Sequence, residues 1–116
     1  MFATIVDSKF LVCKGIPSLE EAQRAVGGYI ETAARFESPN RKNHSVDVYC
    51  NEEGMLMDLP INHIINGQRI AGNLIIVVTN ENTGEWVEAN AAELARAASR
   101  VSLSPFTIAN ITAYGF

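Results

Sequence analysis

The apolar positions of this chain switch between two spacings, and each switch marks an element. Phe2 to Val6 and Phe10 to Cys13 are rich in β-branched and aromatic residues and are separated by Asp7-Ser8-Lys9, which predicts a hairpin, with one bulged strand as the alternative. Gly15-Ile16-Pro17 breaks that pattern. Ser18 followed by Glu21 has the form of a capping box, and Leu19, Ala22 and Val26 then recur at helical spacing until Gly27, which stands where a left-handed terminating residue is wanted. Tyr29 to Phe36 returns to strand chemistry through Tyr29, Ile30, Thr32 and Phe36.

Ser38-Pro39-Asn40-Arg41-Lys42-Asn43 has no apolar period and reads as a loop joining antiparallel strands. Beyond it Val46, Val48 and Cys50 alternate with Asp47 and Tyr49, the period-two pattern of a half-buried strand. Asn51 to Gly54 supplies polar turn formers, and Leu59-Pro60 imposes extended backbone before Ile61, Ile64 and Ile65, which predict one helical turn closed by Asn66-Gly67. Leu74 to Thr79 is the strongest strand. Its unbroken apolar run predicts a central position covered on both faces. A polar turn over Asn80 to Gly84 leads to a returning edge at Trp86-Val87. Asn90 with Glu93 repeats the capping pattern ahead of a second helix facing inward through Leu94, Ala97, Ala98 and Val101. The segment from Ser102 to Phe116 carries Leu103, Phe106, Ile108, Ile111, Tyr114 and Phe116, so it is expected to dock as an extended arm.

Together these elements predict an α+β fold: an antiparallel or mixed β-sheet, two short helices packed on it, and an extended C-terminal arm. At 116 residues, with 47% hydrophobic and 19% charged, the chain has the size and balance of one globular domain over residues 1–116, with 103–116 as an arm that packs either on its own core or, as an oligomerisation arm, on a neighbouring subunit. Nine basic against thirteen acidic residues leave a formal charge of −4, which disfavours general nucleic-acid binding. Arg35, Arg41, Lys42 and His44 cluster around the loop, where solvation is the simpler reading. The longest apolar run, Leu74 to Val78, is far too short to span a bilayer, so no membrane partner is expected. Cys13 and Cys50 lie in strand-like runs as two core thiols, and no secretory leader is read at Met1-Phe2-Ala3. A reducing, cytoplasmic setting follows from those two features.

Candidate chemistry is sparse. Cys13, His44, Cys50 and His63 are too widely spaced for a zinc motif, and the histidines read as surface residues, so no metal or cofactor is expected. Glu52-Glu53 are neighbours on a turn and normally hydrated, although a small hydrolase or transferase using Glu52, Glu53, Asp58 or His63 is an alternative. Asn62, His63, Asn66, Gln68, Arg69, Asn73 and Trp86 lie near elements that could border a cleft beside the central strand. Of these, Asn62, Arg69, Asn73 and Trp86 are the expected ligand-binding residues, because arginine and tryptophan anchor recognition surfaces and arginine clamps phosphate or carboxylate.

Gly27-Gly28-Tyr29-Ile30-Glu31, the stretch from Tyr49 to Asn62, and Gly72 to Val78 together resemble the phage and bacterial domain-of-unknown-function family DUF3846, over the Gly27 to Val78 region. The resemblance implies a viral or mobile-element accessory protein and carries no functional residues across. The Ser38 to Ser45 insertion and the apolar end from Ser102 depart from its shorter members. The expected function is therefore non-enzymatic: binding and sequestering an anionic small molecule such as a nucleotide, or occluding a host protein, as an inhibitor of host defence in the host cytoplasm. Self-association into a homo-oligomer is expected, and a structural or assembly role is a further alternative.

Overall fold

A computed structural model of the protein describes residues 1–7, 9–54, 57, 59, 61–65 and 67–103, with backbone alone at 61, 62, 102 and 103. The arm beyond Leu103, Asp58 and Asn66 fall outside the described residues. β1 (Phe2–Val6) and β2 (Lys9–Cys13) form the predicted hairpin, closed by Val6 opposite Lys9 with Asp7 at φ 50. α1 (Leu19–Val26) has the capping box at Ser18 and Glu21, and it stops at Gly27, φ 81. β3 (Ile30–Glu37) and β4 (His44–Asn51) pair across the loop. β5 (Ile61–Ile65), β6 (Gln68–Ala71), β7 (Leu74–Asn80) and β8 (Trp86–Val87) follow, then α2 (Ala91–Arg100) and β9 (Val101–Leu103).

Among the described residues these strands make two antiparallel sheets. The larger has the order β2-β1-β7-β4-β3, with β8 paired to β7 beyond the end of β1, and the smaller has the order β6-β5-β9. This is the expected α+β architecture, with the sheet wholly antiparallel.

Residues 74–78 of β7 are fully buried, as their unbroken apolar run requires. On one face Leu74, Ile76 and Val78 join Ala3, Ile5, Val46, Val48 and Cys50 under α2 and the small sheet, which contribute Leu94, Ala97, Ile65, Ile70 and Val101. On the other face Ile75, Val77 and Phe2 pack against Ala22 and Val26 of α1. The alternation of strand side chains thus gives one sheet two separate cores.

Several local expectations are corrected. Ile61 to Ile65 is a strand, not a helical turn: with a bulge between Ile61 and His63, it presents His63 and Ile65 inward and leaves Ile64 exposed. His63 is accordingly no surface residue, being only 1% exposed. Val101 begins β9 instead of ending α2, yet reaches the same core. β4 is covered on both sides, because Asp47 is fully buried beneath polar and aromatic side chains. Cys50 is a buried thiol as expected, whereas Cys13 is only half-buried.

The Ser38–Asn43 loop is not a merely solvated connector. Glu93, at the third position of α2 and fully buried, accepts from Arg41 Nη2 at 2.6 Å, Arg41 Nε at 3.2 Å and Ser38 Oγ at 2.6 Å. Arg41 also donates to the Glu88 carbonyl at 2.8 Å, and the Asn40 and Asn90 amides donate to each other. A buried carboxylate needs partners of this kind. Burial alone pushes the Glu93 carboxyl up, but hydrogen bonds from Arg41, Ser38 and the Asn90 N–H, with the Arg41 charge, hold it below its ordinary 4.5.

The sign of that shift sets a pH test. A carboxylate with a depressed folded pKa contributes stability that is present above 4.5 and is lost as pH falls through the folded value. Glu93→Gln is expected to lower stability near neutral pH by about 1–2 kcal/mol, reading from a lost charge-assisted hydrogen bond. In urea titrations the gap to wild type should narrow as pH falls below 4.5; a gap independent of pH would show that the charge of Glu93 does not hold the loop.

Candidate recognition face on the α1 side

The three sequence stretches that carry the family resemblance meet at the C-terminal end of α1. A helix ends with carbonyls that lack intrahelical donors, and here side chains supply some of them. Gly27 and Gly28 both donate backbone N–H to the Gln23 carbonyl, at 2.8 and 3.0 Å. Asn51 Nδ2 donates to the Val26 carbonyl at 3.1 Å, and Asn73 Nδ2 to the Ala25 carbonyl at 3.3 Å. Asn73 Oδ1 in turn accepts from the Asp7 N–H at 3.1 Å, tying the β1–β2 turn to the helix. Asn51 Oδ1 accepts from the Glu53 N–H at 2.8 Å, which starts the turn after β4.

Two glycines make this junction possible for different reasons. Gly27 takes the left-handed conformation that ends the helix. Gly28 lies so close to Asn51 that a Cβ there would stand 2.9 Å from Nδ2. The backbone emerging from this tight joint presents Tyr29 outward at 69% exposure, and its carbonyl accepts from the Glu52 N–H at 3.0 Å. An open depression of about 600 Å³ lies beside it, lined by Glu20, Gln23, Arg24, Gly27, Gly28 and Tyr29. Met57, 51% exposed, borders the same joint, with its sulfur 3.7 Å from Asn51 Nδ2.

Farther along this sheet face α1 no longer covers the strands, and side chains do so instead. Arg35 on β3 stands opposite Asp47 on β4, and its Nε and Nη2 donate to the two carboxylate oxygens at 2.8 and 3.2 Å. Thr79 Oγ1 donates to the same carboxylate at 2.6 Å. The Asp47 hydrogen bond, then its charge, push the Arg35 guanidinium pKa further up. Trp86 is opposite Thr79 on one side of β7, yet its ring centroid lies 5.7 Å from that of Tyr49 on the other side, so the indole spans the strand. The Asp47 side chain is fully buried, while that of Arg35 remains 59% exposed.

The four residues expected to bind ligand are not brought together. Trp86 and Asn73 are on this side, but both ends of the Asn73 amide are engaged in holding α1. Arg69 is exposed on β6, in register with Ile64 on the outer face of the small sheet, across the core from α1. Asn62 lies at the β5 bulge, and its side chain is outside the described residues. Of the groups considered for catalysis, Glu52 and Glu53 are exposed on the turn and His63 is buried in the other core. Among the described residues, no three His, Cys, Asp or Glu side chains gather as metal ligands, and no helix is long and apolar enough to cross a membrane.

Tyr29 and Arg24 are the face residues that the pattern along the chain does not single out, and Arg35 stands on the sheet face and not in the loop. The pair Gly27-Gly28 held the signal, since a helix stopped abruptly before a tyrosine leaves that ring little room to turn inward. A Gly28→Ala substitution is expected to displace the Asn51 amide and cost about 1–2 kcal/mol, the scale of one buried hydrogen bond lost. Asn51→Ala should cost a similar amount by chemical denaturation, and the double variant should cost less than the sum; full additivity would mean that the two residues act independently.

Comparison with curated proteins and with solved structures finds no significant match. A family model described as a domain of unknown function (DUF3846) matches residues 2–102, from the first strand through α2 and into β9, and includes every residue of the helix joint. The chain therefore belongs to the DUF3846 family.

Proposed function

We propose that this protein acts by binding without turnover, as a small accessory protein of a phage or mobile element that occludes a host protein, including a component of host defence. One observation carries the reading. The α1 side collects Trp86, Tyr29, Tyr49, Met57, Arg24 and Arg35, the residue types most enriched at the centres of protein interfaces.

The form of the surface favours a protein over a small ligand. The depression beside Tyr29 is open, and the exposed groups are spread along a helix and a sheet face without an enclosing wall. Rigid backing comes from the joint beneath: the asparagine-capped helix end fixes the chain on which Tyr29 stands, and the Arg35–Asp47–Thr79 group fixes the floor under Trp86. Preorganised aromatic anchors lose little freedom on docking.

Affinity capture from a host lysate, with the captured protein identified and its affinity then measured, tests the assignment of the face. A Tyr29→Ser, Arg24→Ser double variant is expected to weaken that affinity at least about tenfold, and Arg69→Ser on the opposite side to leave it unchanged. Equal binding by the first variant, or loss caused by Arg69→Ser, would remove the α1 face from consideration. Recovery of a chemically altered partner would argue for turnover.

A further inference from the structure

The interior of the small sheet holds a group that the binding reading does not use. His63 is 1% exposed on the core side of β5, and neither ring nitrogen has a hydrogen-bond partner among the described residues. A buried polar group without partners is uncommon and costs free energy, and the cost rises steeply once the group is charged. We infer that the small sheet is a proton-sensitive latch: protonation of His63 releases β5, β6 and β9 from the core about the Gly72 joint, while the larger sheet stays closed.

The topology permits such a movement. Among the described residues no backbone ladder joins the two sheets, so β5, β6 and β9 are held to the larger one by apolar packing through Ile65, Ile70 and Val101. β6 enters β7 through Gly72, at φ 81, a conformation that glycine adopts freely. The same Gly72 backbone approaches the His63 ring, near enough to favour the charged form slightly but outside hydrogen-bonding geometry.

Among the described residues the elements packed on the small sheet aim no carboxylate at the ring, and Glu31 on β3 is exposed with its carboxylate 3.8 Å from Cys50 Sγ. β4 and α2 are the elements packed on the small sheet from the larger core. On β4, Cys50 shares the core side, and its thiol is pushed up to about 11, first by burial and then by Glu31, so it stays neutral. Asp47 and Tyr49 face α1, and His44 is at the far, loop end of β4, beside the Lys42 carbonyl. On α2, Glu93 is held by Arg41, Arg100 lies over the Phe36 ring, and Arg96 adds only positive charge. Arg69 points from the outer face of the small sheet itself.

Burial lowers the His63 pKa from 6.5 to about 4, so a solvated ring in the released state binds a proton about 300-fold more tightly. A group whose folded value is depressed favours the closed state above 6.5 and withdraws that support as pH falls toward 4. Between pH 7 and pH 5 the released population should grow about 25-fold. Glu93, itself below 4.5, remains ionised over that range and keeps its loop in place.

Hydrogen exchange followed by mass spectrometry at pH 7 and pH 5, corrected for intrinsic rates, tests the latch. Peptides covering 61–65 and 68–71 should lose protection by more than about tenfold relative to Leu74–Asn80, and His63→Phe and His63→Leu should abolish the difference. Equal loss across β7, unchanged protection, or a wild-type response in either variant would overturn it. Should neither variant fold, NMR titration of the wild-type ring decides: a depressed pKa supports the latch, and titration near 6.5 removes it.

Discussion

The apolar run of β7 is the constraint from which the rest of the architecture follows. A strand with no polar side must be covered above and below, and the chain meets that demand with unlike pieces: one short capped helix on one face, a longer helix and a three-stranded sheet on the other. The β7 partners β1 and β4 are distant in the chain, and β8 alone returns to β7 through a short turn. α1, eight residues long, is too short to cover its whole face. The uncovered part is roofed by Trp86, Tyr49 and Arg35, and this shortfall produces the aromatic and cationic surface beside the helix.

Buried charge plays a second, more local part. Asp47 and Glu93 are both fully buried, and each is held by an arginine and a hydroxyl. Neither arrangement need add net stability over an apolar substitute. Their effect is geometric: one fixes the edge strand β3 against β4, and the other fixes the Ser38–Asn43 loop against the start of α2. His63 differs because no corresponding partner stands beside it among the described residues.

Much of the fold was legible because local signals agreed with one another. Both capping boxes, the left-handed stop at Gly27, the first hairpin and the buried central strand all follow from short-range chemistry, and each stands where its residues predict. The Ile61–Ile65 segment was not legible in that way. Three isoleucines in five residues fit a helical turn as readily as a bulged strand, and pairing with β6 and β9 decides between them. Asp47 misled for the same reason: a carboxylate on the polar side of an alternating strand looks solvated until its distant arginine is known, and the capping role read for Glu93 is present without foretelling its burial. The recognition face was only half visible, through Trp86. In the sequence Arg35 reads as loop charge and Asn73 as a ligand donor, whereas tertiary contacts assign one to a sheet face and the other to a helix end.

The position of the indole has a practical consequence. The chain contains a single tryptophan, and its ring lies across β7 on the α1 side, tilted against Tyr49 and remote from the His63 core. Its intrinsic fluorescence therefore reports on one side of the molecule only. A quenching or blue shift on mixing with a tryptophan-free partner would locate contact there without any label, whereas rearrangement confined to the small sheet would leave the emission unchanged.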